Sequence, residues 1–131
     1  SLKVLLDKQI TKSDADSIKA LRKIGVEAMI IIGGDGTLDS ARVIDEAGMP
    51  TIGIPKTIDN DMVASNPTIG FDTGVENAVE AIRKLKTTAA SHRRVMVVEM
   101  MGRTSGYLTL YSGFAAGADI ILLPERDYDL E

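Results

Sequence analysis

Two short segments of the sequence combine residue types that phosphoryl chemistry requires. The first, Gly33-Gly34-Asp35-Gly36-Thr37, sets one carboxylate among glycines. The second, Pro55-Lys56-Thr57-Ile58-Asp59-Asn60-Asp61, holds two carboxylates, an amide, a hydroxyl and a lysine within seven positions. Chemistry on a phosphorylated substrate can use one carboxylate to bind a metal ion and another to accept a proton. The two segments together are therefore the candidate site.

The first segment follows an apolar run and precedes a helical pattern, which is the setting of a phosphate-binding turn. Glycine lets the backbone approach a ligand closely, and a helix N-terminus offers unpaired N–H groups and a favourable dipole. Asp35 would repel phosphate unless a cation lies between them, so it indicates Mg²⁺ held through water. An ordinary strand-to-helix turn with Asp35 as its cap explains the same residues. The segment is not a P-loop, because no Gly-Lys-Ser/Thr follows.

Composition limits the class of protein. The chain has 131 residues, of which 44% are hydrophobic, enough for a core. Its formal net charge of −4 argues against a nucleic-acid-binding protein. We expect neither a membrane span nor a secretory leader, because no apolar run is long enough. Cysteine is absent, which excludes disulfides and thiolate metal sites and suits a reducing compartment.

Four apolar runs are predicted to be strands, at 28–32, 51–54, 95–98 and 120–123. The first is continuously apolar, as in a strand that is covered on both faces. Helical patterns separate the runs, and strand–helix alternation with short loops indicates a parallel sheet. The predicted class is therefore α/β, Rossmann-like, with helices flanking the sheet. Four strands are few for such a sheet, so we expect further strands from residues outside this chain.

Four helices are predicted from apolar periodicity and capping residues. They run from Thr11 to Gly25, from the first segment to Gly48, from Asp72 through Leu85, and from Ser105 to Ala116. Ser13 is the expected N-cap of the first helix, and Thr73 with Glu76 is the expected capping box of the third. Residues 62–70 show no clean period and are predicted to be a connection.

Together with Met101-Gly102-Arg103, the two segments closely resemble the 6-phosphofructokinase family in order and interval. The first segment alone also resembles NAD kinases and diacylglycerol kinases, whereas the second is highly specific. The resemblance extends from about residue 14 to Glu125. It implies a two-domain α/β fold, of which this chain is an incomplete part, with residues 1–66 in the donor-binding domain and 67–131 in the sugar-phosphate-binding domain. It also implies Mg²⁺-dependent phosphoryl transfer to the 1-hydroxyl of fructose 6-phosphate, a step of glycolysis.

The resemblance assigns roles to residues by position. It implies that Asp59 is the general base for the sugar 1-hydroxyl, that Thr57 orients this carboxylate or binds substrate, and that Arg103 neutralises charge on the transferred group. These three are the expected catalytic residues. Asp35 is the expected Mg²⁺ ligand. The expected donor contacts are Gly34, Gly36, Thr37 and Lys56, and the expected sugar-phosphate contacts are Asn60, Asp61, Arg94, Met101 and Gly102.

Two positions bear on the phosphoryl donor. Gly36 resembles the ATP-dependent members, because a hydrogen leaves room for the α-phosphate and nucleoside where pyrophosphate enzymes usually carry aspartate. Lys56 resembles the pyrophosphate-dependent members, although Gly36 with Lys56 also fits ATP-dependent members of a related clade. Steric exclusion is harder to evade than a missing cation, so ATP is the expected donor and pyrophosphate the alternative.

Arg94 matches a family arginine that reaches the sugar phosphate of a neighbouring subunit, for which a guanidinium fork is suited. The resemblance thus implies a cytoplasmic, allosteric homo-oligomer with shared active sites, which binds fructose 6-phosphate and ATP but neither nucleic acid nor membrane. Because the chain begins at Ser1 and ends at Glu131 straight after an apolar run, we expect a fragment of an enzyme that is inactive alone. The alternatives are a non-catalytic subunit that associates with a full-length enzyme, and a NAD or lipid kinase.

Overall fold

The computed structural model describes residues 12–63 and 67–129. Within them, four helices and two strands follow in chain order: α1 Lys12–Lys23, β1 Met29–Gly33, α2 Asp35–Glu46, β2 Thr51–Pro55, α3 Phe71–His92 and α4 Tyr107–Ala116. The chain divides into two compact units, one ending at Lys56 and the other beginning at Thr57. The boundary predicted after residue 66 concerns which ligand each part binds, and it stays a prediction.

In the first unit, β1 and β2 form a parallel pair, with Met29 opposite Thr51 and Gly33 opposite Pro55. α2 connects the two strands and packs against both, as expected for a βαβ unit. It lies so close to β2 that a Cβ on Gly53 would stand 3.0 Å from Leu38 Cδ2. The predicted α/β class with a parallel sheet and flanking helices is confirmed.

One face of this two-stranded sheet is exposed. Ile30 and Ile32 alternate with less exposed neighbours along β1, and Ile30 is 66% exposed. The expectation that β1 is covered on both faces is therefore wrong for the described residues. A continuous apolar run reports a preference for burial, whereas burial itself also requires a neighbouring layer.

Positive backbone angles end two helices of the first unit, as the sequence predicts. Gly25 follows α1 with φ +88°, and Gly48 follows α2 with φ +91°. Arg22 Nη2 donates to the Gly48 carbonyl at 2.6 Å and ties the end of α1 to this second turn. The predicted start at Thr11 lies outside the described residues. Since the helix already includes Lys12, the predicted N-cap Ser13 lies inside it.

Arg42 stabilises α2 through pairs at helical spacing. Its guanidinium donates to Glu46 Oε1 at 2.5 Å and contacts Asp39 Oδ1 at 3.3 Å. The hydrogen bond to Glu46 is the main cause that raises the pKa of Arg42. Such pairs three and four residues apart support a helix only modestly.

In the second unit, α3 packs against α4 around Phe71, Ile82 and Leu108, which are buried. The ring of Phe71 meets those of Tyr107 and Tyr111 edge to face, at centroid distances of 6.5 and 5.4 Å. This geometry is favourable for aromatic quadrupoles. The aromatic cluster fixes how the start of α4 lies on the start of α3.

Two cations of α3 complete the C-terminal end of α4. Arg83 Nη2 donates to the Ala115 carbonyl at 3.3 Å, and Lys86 Nζ donates to the Gly117 carbonyl. Positive charge at these carbonyls complements the negative end of the helix dipole. Arg83 and Lys86 of α3 therefore stabilise the end of a neighbouring helix.

The expected capping box of α3 is wrong. The helix begins at Phe71, so Thr73 lies inside its first turn, and the N-cap is Gly70 with φ +100° and no side-chain cap. A glycine in the left-handed region makes a sharp entry that a serine or threonine cap would resist. The spacing of residues in the sequence predicted α3 correctly but placed its capping residue wrongly.

The strands predicted at 95–98 and 120–123 are not strands in the described part of the chain. Val95 and Val97 are 91% and 93% exposed, and Ile120 is also exposed. A strand needs a hydrogen-bonded neighbour, and among the described residues these runs have none. β-Branched composition indicates a preference for pairing without supplying the partner.

Among residues 12–63 and 67–129, no helix is long and apolar enough to cross a membrane.

Met49 offers a test of the core of the first unit, because its side chain is fully buried. We expect Met49→Ala to lower the free energy of unfolding by about 2–5 kcal/mol, through lost burial and a residual cavity. Ile24→Ala is the control, since Ile24 is 77% exposed and should cost no more than about 0.5 kcal/mol. Urea denaturation followed by circular dichroism measures both. Equal losses would contradict this core.

Candidate functional site

The first segment forms a very tight strand-to-helix turn. β1 ends at Gly33 and α2 begins at Asp35, so that Gly34 alone lies between them as the N-cap, with φ −84° and no side-chain cap. Asp35 is therefore the first helical residue and not the cap that the alternative explanation required. Its carboxylate is exposed and forms no hydrogen bond with the described residues. Thr37 N–H donates to the Gly34 carbonyl at 3.1 Å, whereas the N–H groups of Asp35 and Gly36 form no hydrogen bond with the described residues and can meet an anion.

The glycines of this segment are required for different reasons. A Cβ on Gly33 would stand 2.5 Å from Thr37 Cβ, so the fold itself demands glycine there. A Cβ on Gly36 would meet nothing within 4 Å, and the residue is exposed. The fold thus places no demand on Gly36, which is consistent with open space for a ligand. Lys56, whose N–H donates to the Gly33 carbonyl at 2.8 Å, is also exposed.

In the second unit, residues 57–61 are held by the loop that precedes α3. Thr57 N–H donates to the Ile69 carbonyl at 3.1 Å, and Thr68 Oγ1 donates to the Thr57 carbonyl at 2.7 Å. Thr68 N–H donates to Asn60 Oδ1 at 3.0 Å. The Asn60 side-chain oxygen is therefore engaged within the fold, and it compensates for a backbone angle of φ +50° at that residue.

Asp59 is fixed by its main chain. Its N–H donates to Thr57 Oγ1 at 3.1 Å, and its carbonyl accepts from Ser105 Oγ at 2.7 Å. The carboxylate differs from the main chain of Asp59: its Oδ1 is buried and has no hydrogen-bond partner among the described residues. A buried carboxylate oxygen without a partner is costly, and such groups concentrate where a ligand or a reacting group completes the hydrogen bond.

Ile58 anchors the same segment by packing. Gly74 of α3 leaves room for it: a Cβ on Gly74 would stand 3.2 Å from Ile58 Cβ and 3.5 Å from Leu108 Cδ1. The absence of a side chain on α3 thus lets Ile58 sit against the helix. Ile58 is thus held by packing against α3, in addition to the hydrogen bonds that the carbonyls of Thr57 and Asp59 accept.

The Met101-Gly102-Arg103 motif forms a turn that reaches this segment through Ser105. Ser105 N–H donates to the Gly102 carbonyl at 2.8 Å, and Gly102 and Arg103 have φ +138° and +52°. A Cβ on Gly102 would collide with the Ser105 carbonyl oxygen. Met101 and Arg103 are exposed. The structure therefore joins this motif to Asp59, through a serine that lies outside both motifs.

The remaining predicted residues lie at the surface. Asp61 is exposed next to the Asp59 segment, and Arg94 is exposed just after α3, where its N–H donates to the Ala89 carbonyl. Their roles stay predictions. The glycine segment belongs to the first unit, whereas Thr57, Asp59 and Arg103 belong to the second.

Sequence reasoning missed three residues that hold the site. Thr68 lay in a stretch without period, and Ser105 was taken as the start of a helix that in fact begins at Tyr107. Glu125 Oε1 accepts the N–H of Gly106 at 2.6 Å, at the start of the same helix. Isolated hydroxyls and one distant carboxylate have no periodic signature. Only contacts in space identify them.

A magnesium site fits Asp35 on chemical grounds. Within the described residues, no group of three or more His, Asp or Glu side chains is arranged to hold a metal. Mg²⁺ does not need one, because it keeps several waters and binds through one or two carboxylates plus substrate phosphates. A single exposed carboxylate beside uncapped helix N–H groups is consistent with that mode.

Gly102 and Gly25 separate two effects of a side chain at positive φ. Gly25 has φ +88° and open space around it, so Gly25→Ala should cost about 1–2 kcal/mol from backbone strain alone. Gly102→Ala adds the collision with Ser105, and we expect a loss of unfolding free energy above about 3 kcal/mol. Urea denaturation measures both variants. Similar losses would show that the turn has room for a side chain.

Comparison with known proteins identifies the family. The family described as Phosphofructokinase matches residues 6–131. ATP-dependent 6-phosphofructokinase 2 of Clostridium perfringens is 51% identical over 124 residues, which are 93% of this chain and 34% of that protein. Pyrophosphate–fructose 6-phosphate 1-phosphotransferase of Streptomyces coelicolor is 56% identical over 112 residues, 85% of this chain and 33% of that protein.

A solved structure gives the same result for the fold. Phosphofructokinase from Saccharomyces cerevisiae matches with a TM-score of 0.72 and 31% identity, over 82% of this chain and 17% of that one. The chain spans about a third of the length of the curated relatives it matches. It belongs to the phosphofructokinase family.

Proposed function

We propose that the protein carrying this chain transfers a phosphoryl group from ATP to the 1-hydroxyl of fructose 6-phosphate, as a cytoplasmic step of glycolysis. The observation that carries the proposal is the Asp59 carboxylate, whose Oδ1 is buried without a partner on a segment fixed by its main chain. A general base must be held within about 2.6–3.2 Å of the hydroxyl it deprotonates. The fold fixes the backbone of Asp59 and leaves its Oδ1 unpaired among the described residues, which supports this role.

In this proposal, Asp59 accepts the proton of the sugar hydroxyl while that oxygen forms a bond to the γ-phosphorus and the bond to the ADP oxygen breaks. Thr57 orients Asp59 by accepting its N–H at 3.1 Å. Arg103, exposed on the turn that Ser105 links to Asp59, neutralises charge on the transferred group. Asp35 would hold Mg²⁺, which supplies positive charge to the donor phosphates. Alignment and positive charge account for most of the acceleration expected of such a site.

The other assignments concern binding. Residues 1–66 would contribute to the donor site and residues 67–131 to the sugar-phosphate site. The donor would contact Gly34, Gly36, Thr37 and Lys56, and the sugar phosphate would contact Asn60, Asp61, Arg94, Met101 and Gly102. Because Arg94 would serve a neighbouring subunit, the active protein would be a homo-oligomer with shared, allosterically controlled sites. Residues 1–131 alone would then show little turnover.

ATP is the proposed donor because Gly36 lies in open space that the fold does not use. A nucleotide is longer than pyrophosphate, and a side chain at this position would obstruct it. Pyrophosphate is the second candidate, supported by Lys56 and by the 56% identity to a relative named for pyrophosphate. The family match across residues 6–131 leaves a NAD or lipid kinase without support.

Asp59→Asn tests the proposed reaction. The amide keeps the size of the side chain but cannot accept the proton, so we expect kcat to fall by about 10²–10⁴-fold. Asp127→Asn is the control, since Asp127 is exposed and has no assigned role. A coupled assay with fructose 6-phosphate, ATP and Mg²⁺, on the gene product that carries this chain, measures both. Retained turnover in Asp59→Asn would overturn the assignment of the base.

Gly36→Asp tests the donor. Gly36 lies in the first turn of α2, where the helix dipole stabilises a carboxylate and a side chain would meet no neighbour. The free energy of unfolding should therefore change by less than about 1 kcal/mol. We expect the ATP-dependent kcat/KM to fall at least about tenfold, because bulk and charge obstruct the nucleotide. Assays with ATP and with pyrophosphate measure the donor preference. ATP is not the donor if the unsubstituted protein works faster with pyrophosphate than with ATP and Gly36→Asp leaves both of these rates unchanged.

A further inference from the structure

Two buried hydroxyls donate to the two carbonyls that flank Ile58. Thr68 Oγ1 donates to the Thr57 carbonyl and Ser105 Oγ to the Asp59 carbonyl, each at 2.7 Å. Thr68 is 3% exposed and Ser105 is 8% exposed. Water therefore competes little for either bond, and both carbonyls depend on these side chains.

The two donors come from different parts of the second unit. Thr68 lies in the loop just before α3, and Ser105 lies in the turn just before α4. Residues 57–61 belong to neither a helix nor a strand, so no backbone ladder fixes them. These hydroxyls act together with three further bonds, from Asp59 N–H to Thr57 Oγ1, from Thr57 N–H to the Ile69 carbonyl and from Thr68 N–H to Asn60 Oδ1. Of the bonds that the described residues make to the segment, only the two hydroxyl bonds reach the carbonyls on either side of Ile58.

The placement of the Asp59 carboxylate follows from that of its backbone. Both main-chain polar groups of Asp59 bond to side-chain hydroxyls, Thr57 Oγ1 and Ser105 Oγ. Carboxylate Oδ1, by contrast, has no partner among the described residues that would correct an error in its position. A displacement of about 1 Å in a reacting group can cost about 10²-fold in rate. A small rotation of the segment would therefore reach the chemistry directly.

We propose that Thr68 and Ser105 are positioning residues, whose hydroxyls hold residues 57–59 so that the Asp59 carboxylate is set for proton transfer. The proposal rests on the proposed function for its consequence in the reaction. It rests on the structure alone for the claim that the two hydroxyls immobilise the segment. Neither side chain is required to touch the substrate.

Thr68→Val and Ser105→Ala remove one hydroxyl each, and Thr68→Ser restores it at the first position. Ser112→Ala is the matched control, because Ser112 is fully buried and its hydroxyl donates to the Leu108 carbonyl within α4. The control thus loses a buried hydroxyl-to-carbonyl bond in the same unit that involves none of residues 57–61. The measurements are kcat, KM for ATP, Tm, and hydrogen exchange of the Asp59 amide by NMR.

We expect Thr68→Val and Ser105→Ala to lower kcat by about 10–100-fold with KM for ATP within about twofold, and Thr68→Ser to restore most of it. The Asp59 amide should exchange at least about tenfold faster in the two disruptive variants than in Ser112→Ala. If Thr68→Val does not fold, Ser105→Ala decides the outcome. Normal kcat and normal exchange, or losses no larger than those of Ser112→Ala, would overturn the proposal.

The outcomes also separate the two proposals. An unsubstituted protein that transfers no phosphoryl group would overturn the proposed function, while the Asp59 exchange rates would still test the immobilisation. An active protein whose Thr68 and Ser105 variants stay fully active would overturn the positioning role and leave the proposed function intact.

Discussion

The hydrogen bond from Ser105 Oγ to the Asp59 carbonyl joins two sequence motifs that are distant along the chain. The turn at Gly102 and Arg103 depends on Ser105 at one end, and the Asp59 segment depends on it at the other. Since Ser105 also precedes α4, the orientation of that helix bears on both. One buried hydroxyl therefore relates the candidate base to the candidate cation of the proposed reaction.

The glycines of the candidate site fall into two kinds: those at which a side chain would clash and one at which it would not. Gly33 and Gly102 cannot carry a side chain, because one would strike Thr37 and the other the Ser105 carbonyl. Gly36 could carry one without any contact. Folding explains Gly33 and Gly102, whereas Gly36 needs another explanation, and the proposed nucleotide donor would supply one. Spacing in the sequence shows these residues as equivalent, and only the structure distinguishes them.

The first unit could be predicted from sequence because its signals are local. β1, α2 and β2 are adjacent in the chain, and a continuous apolar run with a glycine turn defines each boundary within a residue or two. The prediction of strands at 95–98 and 120–123 was wrong because a strand forms only with a hydrogen-bonded neighbour. The clustering of Thr57, Asp59 and Asn60 was visible as a motif. Thr68 and Ser105 were not, because their role depends on contacts between segments far apart in sequence.

The treatment of Asp59 shows how stability and reactivity are separated within one residue. Its N–H and carbonyl are both paired with hydroxyls, so the fold does not bear the cost of an unsatisfied backbone. Its carboxylate Oδ1 is buried and unpaired among the described residues, which is the costlier condition. A purely structural turn would gain stability by pairing that oxygen as well. Thr57 Oγ1 and Ser105 Oγ bond to the main chain of Asp59 instead. Under the proposed function, Oδ1 would accept its hydrogen bond from the sugar hydroxyl that arrives with the substrate.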